Sequence, residues 1–424
     1  MQCRILLATT TWWPQAARLA VALRDAGASV GAVCPDGSPL TTVRGLYSIS
    51  RYEAFAPARS LAGALHAMQP DLVVPCDERA VGDLHALHDA EPADDRIRDL
   101  IERSLGRPSD FPSTLSRIAC LRLAAAGNIR VPETRLLQSP ADVRAWCASR
   151  PLPGLMKTDG SWGGAGVALV ASEGSALAAF RRMSRPLATW RAAKFLLSNR
   201  DPYPAAEWLR RETSAVTGQD FVQGSAANIM VACWQGEVLA TIGTKVLSSA
   251  KRFGAATIVR MVRHEEMEAA ARHVVAGLGL SGFCGLDFII DHRDDAHLIE
   301  LNPRPTQLGH LPIATGHSLA SVLLHRMAGQ PPPAGAPAPM GHDTVALFPQ
   351  AWLSEAAAPW LQTAYHDIPW TEPALVAELR RRPWERRSPL ARLTDLLLRR
   401  PDPARQLEAS LLNSAPADTF AQLA

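Results

Sequence analysis

The sequence predicts a mixed fold, in which an N-terminal α/β domain is followed by a larger α+β region. Strand and helix patterns alternate through roughly the first hundred residues. Further along, a glycine-rich loop follows a short strand that ends at Lys157, and residues 283–304 have the pattern of an acidic hairpin. These three observations place a packed α/β unit before the segments that carry charged and glycine-rich motifs.

The N-terminal domain is predicted from apolar runs separated by one helical pattern and by turn residues. In chain order these are strand Arg4–Ala8, helix Gln15–Ala26, strand Ser29–Val33 and strand Leu72–Pro75. Strands that alternate with helices favour a parallel sheet covered by helices. The first turn, Thr9–Pro14, lacks GxGxxG, so the dinucleotide-binding fingerprint is absent. We expect this domain to occupy residues 1–105.

Three further regions are expected after the first domain. They are a connector and first lobe over 106–215, with a helical insertion near 184–212, a second lobe over 216–330, and a proline-rich linker with a C-terminal subdomain over 331–424. In the connector, Ser116 and Arg117 precede a helical pattern that Gly127 ends. The arginines of the tail alternate with acids and leucines, which favours a packed amphipathic helix over an RNA-binding segment.

Composition restricts the classes of partner. The 44 basic and 41 acidic residues give a net charge of +3, which indicates neither nucleic acid nor membrane. Met1–Leu7 lacks the order of a signal peptide, and the cysteines form no CxxC pair. We therefore expect a cytoplasmic protein with reduced thiols that acts on small molecules. A homodimer is compatible with this expectation.

The acidic hairpin is the most informative segment. Strands Phe283–Ile290 and His297–Leu301 flank a polar turn. A symmetric turn pairs Asp287 with Glu300 and Gly285 with Asn302, which places the two acids and the amide on one face. Like charges directly opposed across strands destabilise a sheet unless a cation joins them.

Two carboxylates and an amide oxygen form a set of ligands that suits magnesium. Asp287, Glu300 and Asn302 are therefore the candidate metal ligands, and Gly285 is expected to leave room for a ligand. The alternative is an exposed hairpin whose acids face water.

The glycine-rich loop is a second candidate site. Gly160, Gly163, Gly164 and Gly166 allow backbone N–H groups to approach phosphate oxygens, and Lys157 supplies a positive charge at the end of the strand. The loop is not a P-loop, because the lysine precedes the glycines. Taken alone, it fits an ordinary hairpin turn equally well.

Other polar residues have weaker patterns. Asp77 and Glu78 follow a strand, where helix capping is the favoured role. Arg263 and His310 are candidates for contact with a substrate.

The order of these motifs resembles the ATP-grasp family over about residues 1–330. The resemblance rests on Lys157, the glycine loop, the segment Gln219–Gly224, Gly285–Phe288 and Glu300–Arg304, which is similar to the family's Glu-x-Asn-x-Arg element. It implies a pre-ATP-grasp α/β domain followed by a two-lobed ATP-grasp fold. It also implies ATP between the lobes and two Mg²⁺ ions, for which Mn²⁺ is an expected substitute.

The resemblance implies a role for each matching residue. Lys157 would contact the α- and β-phosphates, and Gly163, Gly164 and Gly166 would cover the β- and γ-phosphates. The metal ligands would be Asp287, Glu300 and Asn302, while Arg304 would neutralise the γ-phosphate and the acyl phosphate. The adenine would lie against hinge residues and apolar side chains, namely Gln219, Asp220, Phe221, Val222, Ile289 and Ile299.

Three positions depart from the family pattern. Arg117 stands where a lysine is common, and a planar guanidinium is not equivalent to an ammonium, although it also binds phosphate. Asp287 replaces a frequent glutamate. Ser225–Asn228 occupies the place of an acid that often follows the hinge glycine.

The activity implied by the resemblance is ATP-dependent joining of a small carboxylate to an amine through an acyl phosphate, with amino acids as expected substrates. One alternative keeps the ATP site and uses bicarbonate, as carboxylases do. Another is an ATP-binding sensor or partner subunit without turnover. For Arg304 taken alone, the alternative role is that of a surface salt-bridge partner.

Overall fold

A computed structural model describes residues 2–90, 94–160, 166–185, 193, 196, 203–210, 215–251, 253–313, 317–331 and 343–381. Within these residues the strands form three sheets, of four, seven and four strands. No helix in this part of the chain combines the length and the apolar character needed to span a bilayer.

The first sheet is parallel and contains β1 (Arg4–Ala8), β2 (Ser29–Cys34), β3 (Ser48–Arg51) and β4 (Leu72–Pro75), in the order β3-β2-β1-β4. Parallel neighbours need crossover connections, and helices provide them here. The helices of this region are α1 (Pro14–Asp25), α2 (Pro57–Met68), α3 (Glu78–His88) and α4 (Asp95–Leu105). The predicted strand and helix order is therefore observed.

The connector is helical. It contains α5 (Phe111–Leu115) and α6 (Arg117–Ala126), and the hydroxyl of Ser116 accepts a hydrogen bond of 3.3 Å from the backbone N–H of Ala119. Gly127 is the C-cap of α6, as the sequence predicts. Because Ser116 caps the helix, Arg117 occupies its first turn.

The second sheet is antiparallel and small. Its strands are β5 (Thr134–Leu136), β6 (Gly154–Thr158), β7 (Val167–Val170) and β8 (Val216–Asp220), in the order β5-β8-β6-β7. Helices α7 (Pro140–Ser149) and α8 (Glu173–Met183) complete this lobe. The indole of Trp146 packs directly on β6 and β8, since a Cβ at Gly154 or Gly218 would lie 2.6 or 2.7 Å from it. Lys157 is the fourth residue of β6.

The seven-stranded sheet has the order β13-β12-β9-β10-β11-β14-β15. Its strands are β9 (Ser225–Trp234), β10 (Glu237–Ser249), β11 (Ala256–Met261), β12 (Gly282–Ile290), β13 (Ala296–Asn302), β14 (Thr344–Ala346) and β15 (Tyr365–His366). Apolar residues of β9 and β12, such as Val231 and Leu286, pack with α6 and α10 (Glu265–Leu278) in one buried core. Because side chains alternate along a strand, Asn228 and Asp287 face the opposite side.

The predicted insertion near 184–212 contains α9 (Tyr203–Arg210), and most of the other insertion residues lie outside the described part. Tyr203 and Ala206 are buried in the core of the first domain. The guanidinium of Arg79, in α3, lies 3.9 Å from the centroid of the Tyr203 ring. This helix of the insertion therefore packs against the N-terminal domain.

The C-terminal segment joins the seven-stranded sheet to the first domain. After α11 (Leu319–Met327), strand β14 adds to β11, and α12 (Pro373–Arg380) follows. The buried Glu372 accepts hydrogen bonds of 2.7 Å from Arg24 Nη1 and 3.3 Å from Arg44 N. Most of the proline-rich linker and the arginine-rich tail beyond residue 381 lie outside the described residues.

We predict that Glu372→Gln lowers the free energy of unfolding by about 1–3 kcal/mol, because the buried charged partner of Arg24 is lost. Urea denaturation followed by circular dichroism measures the change. The matched control is Asp36→Asn, since Asp36 pairs with Arg51 on the surface, where both side chains are more than half exposed. The control should change stability by less than about 0.5 kcal/mol. Equal changes in the free energy of unfolding in the two variants would show that Glu372 does not stabilise the contact between the C-terminal segment and the first domain.

Candidate active site

A cleft of about 320 Å³ lies between the seven-stranded sheet and the second sheet. It is lined by most of the residues that the sequence predicts for the site, namely Arg117, Lys157, Gln219, Asp220, Phe221, Val222, Asp287, Ile299, Glu300, Asn302 and Arg304. Gly163 and Gly164 lie outside the described residues. Gly166 is buried, and its carbonyl accepts a hydrogen bond of 3.0 Å from Thr158 N, next to Lys157.

The predicted strand pairing is observed at the acidic residues. Asp287 faces Glu300, and Gly285 faces Asn302. Nearer the turn the register shifts by one, so that Ile290 faces Ala296 rather than His297. A bulge at Ile299 absorbs this shift, and bulges commonly redirect side chains beside active sites.

Asn228 is a site residue that sequence reasoning missed. It faces Asp287 from β9, so Asn228, Asp287 and Glu300 form one row across three strands. Asn228 Nδ2 donates to Asp287 Oδ1 at 2.5 Å, and Asn302 Nδ2 donates to Asp287 Oδ2 at 3.0 Å. Burial, followed by the nearby charge of Glu300, raises the pKa of Asp287, although these two amides oppose the change.

The expectation that Gly285 leaves room for a ligand is wrong. A Cβ at Gly285 would lie 2.2 Å from Thr306 Cγ2, so the side chain of Thr306 fills that space. The Thr306 hydroxyl is 3.3 Å from Asn228 Oδ1, which holds the amide of Asn228 with its nitrogen toward Asp287.

Arg117 is buried between two carboxylates. Its Nη1 donates to Asp159 Oδ1 at 2.7 Å and its Nη2 donates to Glu300 Oε1 at 2.8 Å. The two carboxylates raise the pKa of Arg117 despite its burial. Its Nε is buried and has no hydrogen-bond partner among the residues that the structure describes. The guanidinium thus balances the negative charge of the predicted metal ligands.

Lys157 is buried in the cleft on β6. Burial, together with a smaller effect of the Arg117 charge, lowers the pKa of Lys157 to about 8, although the charge of Glu300 opposes the shift. An anion placed beside this ammonium would gain from a charge that little solvent screens.

Arg304 is also buried, and its ion-pair partner, Glu78, belongs to the first domain. Its Nη2 lies 2.7 Å from Glu78 Oε1 and donates to Asn302 Oδ1 at 3.2 Å. Glu78, for which capping was favoured, is therefore an ion-pair partner. Its neighbour Asp77 does cap α3, and it also accepts hydrogen bonds from the hydroxyls of Thr9 and Thr10.

The predicted hinge residues form the other end of the cleft. The amide of Gln219 donates to Thr134 Oγ1 at 3.0 Å, and the carboxylate of Asp220 pairs with Arg150. The side chains of these two residues are therefore engaged within the lobe. Phe221 is partly exposed and lines the cleft together with Ile299. This end offers an apolar wall beside backbone groups, which suits a planar base.

His310 has a structural role rather than the predicted substrate contact. Its Nε2 is 2.7 Å from Asp367 Oδ2, and Asp367 also accepts a hydrogen bond of 2.5 Å from Phe348 N. The pair joins the loop after Arg304 to the C-terminal segment. Arg263 is exposed and pairs with Glu268.

The ligand chemistry of the row fits a hard divalent cation. Within the described residues, no group of three histidine, cysteine or acidic side chains is arranged to hold a metal. The row and its neighbour nevertheless supply two carboxylates, from Asp287 and Glu300, and two amides, from Asn228 and Asn302. A cation bound to some of these groups would keep coordination positions open for phosphate oxygens. Magnesium prefers this combination of one or two carboxylates with substrate phosphates.

Comparisons with known proteins agree with this architecture. A family described as an ATP-grasp domain matches residues 204–307. No curated protein matches the sequence at a significant level. Among solved structures, N5-carboxyaminoimidazole synthase from Aspergillus clavatus, in complex with ADP and 5-aminoimidazole ribonucleotide, matches with a TM-score of 0.57 and 16% identity over 78% of each chain.

Two further structures are similar to the chain. The biotin carboxylase domain of 2-oxoglutarate carboxylase from Hydrogenobacter thermophilus has a TM-score of 0.57 and 12% identity, over 78% of this chain and 71% of that one. L-amino acid ligase from Bacillus licheniformis has a TM-score of 0.50 and 12% identity, over 77% and 74%. The fold class predicted from the sequence is confirmed.

We predict that Arg117→Met destabilises the protein by about 2–4 kcal/mol, because Asp159 and Glu300 lose the buried cation between them. Thermal and urea unfolding measure the loss. Arg144→Met is the control, since Arg144 pairs with Glu173 at 3.6 Å and both side chains are more than half exposed. A variant at position 117 that is as stable as this control would show that the buried network adds no net stability.

Proposed function

We propose that this chain, which has the ATP-grasp fold, is an ATP-dependent ligase that joins a small carboxylate to an amine and forms ADP and phosphate. The observation that carries the proposal is the set of oppositely charged groups in one cleft. Asp287, Glu300 and Asn302 lie on neighbouring strands, and Lys157 and Arg304 lie beside them. The carboxylate–amine assignment rests on this chemistry and on the family resemblance.

The nucleotide would lie along the cleft from the hinge to the acidic row. The backbone of Gln219–Val222 would bind the edge of the adenine, while Phe221 and Ile299 would cover its faces. Lys157 and Arg117 would contact the phosphates, because both side chains are cationic and buried beside the acids. Buried cations attract a polyphosphate more strongly than exposed ones do.

Asp287, Glu300 and Asn302 would hold the divalent cations, with two Mg²⁺ as the proposed occupants. The bound cations would neutralise negative charge on the phosphates. Glu300 would then bind a cation instead of accepting the hydrogen bond from Arg117. The guanidinium of Arg117 would in turn be able to contact a phosphate. In the structure, the nitrogen of the Asn302 amide faces Asp287 and its oxygen faces Arg304. To bind a cation, the amide of Asn302 would have to rotate so that its oxygen leaves Arg304.

The reaction needs a carboxylate oxygen to attack the γ-phosphorus while the bond from this phosphorus to the bridging oxygen of ADP breaks. The amine nitrogen then attacks the acyl carbon, phosphate leaves, and the nitrogen loses a proton. Catalysis of the first step consists mostly of positioning and charge neutralisation. Arg304 can contact the transferred phosphoryl group because Glu78 and Asn302 hold its guanidinium at the edge of the row.

A carboxylase that uses bicarbonate as the acid is the second candidate. The similar structures favour it, because they include N5-carboxyaminoimidazole synthase and a biotin carboxylase domain whose crystal holds bicarbonate. The same cleft would activate either acid through an acyl phosphate. ADP formation that only bicarbonate stimulates would identify the carboxylase.

The direct test is to trap the activated acid with hydroxylamine across a library of carboxylic acids, with Mg²⁺ and ATP present. The proposed ligase forms a hydroxamate together with ADP. We predict that Glu300→Gln and Lys157→Ala each lower this rate at least about tenfold, or ~1.4 kcal/mol. Glu173→Gln is the control, since Glu173 lies in the exposed pair with Arg144. Folded variants with unchanged rates would refute the site assignment.

The pKa of Lys157 gives a dependence on pH. Because burial lowers this pKa to about 8, the free protein loses the ammonium charge as pH rises through that value. We predict that kcat/KM for MgATP changes little below about pH 7 and falls as pH rises through about 8, since this ratio reports groups of the free enzyme. Lys157→Arg keeps its charge and should remove the fall. A profile that is identical in the two proteins would assign the pH effect to another group.

A further inference from the structure

The side chain of Arg117 connects three separate parts of the chain. Arg117 is the first residue of α6, and its guanidinium pairs with Asp159, which directly follows β6, and with Glu300 of β13. Its side chain is only 4% exposed. A buried cation at the wall of the cleft therefore links the second sheet to the seven-stranded sheet.

The two carboxylates that pair with Arg117 lie differently with respect to the cleft. Arg117 and Glu300 line the cleft, whereas Asp159 is not among the described residues that line it. The side chain of Glu300 is 30% exposed, and that of Asp159 is 18% exposed. Asp159 therefore supports the guanidinium from behind the cleft wall, while Glu300 meets it on the side that a ligand can enter.

Backbone hydrogen bonds hold Asp159 in place. Its N–H donates to Ala215 O at 3.2 Å, and the preceding N–H, of Thr158, donates to Gly166 O at 3.0 Å. Burial raises the pKa of the Asp159 carboxyl, and the guanidinium and the backbone N–H of Arg117 oppose this shift. The carboxylate thus interacts with the side chain of Arg117 and with the start of α6, where the positive end of a helix dipole favours a negative charge.

A guanidinium that is bound through one nitrogen keeps a fixed direction for the other. Nη1 of Arg117 donates to Asp159, so Nη2 stays directed at the place that Glu300 occupies. The planar fork of arginine allows this arrangement, whereas an ammonium has no second donor in a fixed position. An arginine at this position, where the family pattern commonly has lysine, can therefore serve Asp159 and the cleft at the same time.

The proposed function removes one of the two partners of Arg117. When Glu300 turns to a bound cation, the guanidinium faces a like charge there and a second like charge at Lys157, whose pKa it already lowers. Repulsion between like charges in a buried site is only weakly screened. An arginine side chain without a partner would lose its position, and each nucleotide would have to order it again at a cost in affinity.

We propose that Asp159 is a positioning residue for the nucleotide. It holds Arg117 at the cleft wall, so that Nη2 of the guanidinium donates to a phosphate oxygen after Glu300 has left it. Asp159 itself contacts neither the phosphates nor the cation. The inference rests on the proposed function, because it concerns how the same cleft binds ATP.

The test is a calorimetric titration of the full chain with a non-hydrolysable ATP analogue in the presence of Mg²⁺. Asp159→Asn should raise the dissociation constant at least about fivefold, because a neutral amide holds the guanidinium more weakly than a carboxylate does. A carboxylate that acted only through its charge would give the opposite sign, since removing a negative charge beside a polyphosphate tightens binding. A smaller rise, no change or tighter binding would overturn the inference and leave the proposed function in place.

The matched control is Asp36→Asn, because Asp36 forms an exposed pair with Arg51. It should change the dissociation constant less than about twofold. Circular dichroism verifies that each variant is folded at the temperature of the titration. A folded fraction above one half alters the apparent dissociation constant by no more than about twofold, so lost stability alone does not produce the expected rise.

A second background shows whether Asp159 acts through Arg117. In Arg117→Met the carboxylate has no guanidinium to hold, so the addition of Asp159→Asn should weaken binding by less than about twofold. Arg117→Lys is the background if Arg117→Met does not fold, and there the loss should again be smaller than in the parent chain. An equal loss in the parent and in the variant background would assign Asp159 an independent role and overturn the inference.

The parent chain separates this inference from the proposed function. If it does not bind the ATP analogue with Mg²⁺, the proposed function fails and the inference fails with it. Nucleotide binding that depends on both Asp159 and Arg117, without hydroxamate formation from any acid, would support the inference and reject the ligase activity.

Discussion

Two carboxylates, Asp287 and Glu300, face each other on neighbouring strands, and the rest of the site is arranged around their charge. Opposed like charges destabilise a sheet, and burial makes the charged form of Asp287 less favourable still. Arg117 pairs with Glu300, while the amides of Asn228 and Asn302 donate to Asp287. These groups therefore balance the charge, and we propose that a divalent cation with a polyphosphate replaces them. This exchange connects the stability of the folded protein to the chemistry that we propose for it.

The groups around these acids come from distant parts of the chain. The first domain supplies Glu78, whose carboxylate holds Arg304, and it also supplies Trp13. The C-terminal segment holds the first domain through Glu372. The cleft consequently depends on how the first domain packs against the seven-stranded sheet. This explains why residues outside the matched ATP-grasp segment contribute to the position of Arg304.

Much of the site could be predicted from local sequence pattern. The pairing of Asp287 with Glu300 was predicted from a symmetric turn, and it holds because the bulge at Ile299 compensates a one-residue shift nearer the turn. Asn228 could not be found in this way, because its position opposite Asp287 depends on the register of β9 with a strand far along the chain. Trp13 lies in the turn Thr9–Pro14, and the sequence pattern of this turn shows only that a GxGxxG motif is absent. Its place in the cleft depends on domain packing, which periodicity does not encode.

The central claim is that Asp287, Glu300 and Asn302 together bind the divalent cation that holds the nucleotide. Anomalous diffraction from crystals grown with Mn²⁺ and a non-hydrolysable ATP analogue locates such an ion directly. We predict an anomalous peak between the two strands, with carboxylate oxygens of Asp287 and Glu300 at about 2.0–2.3 Å from it. Nucleotide bound in the cleft with its ion on other residues, while Glu300 still pairs with Arg117, would contradict the account.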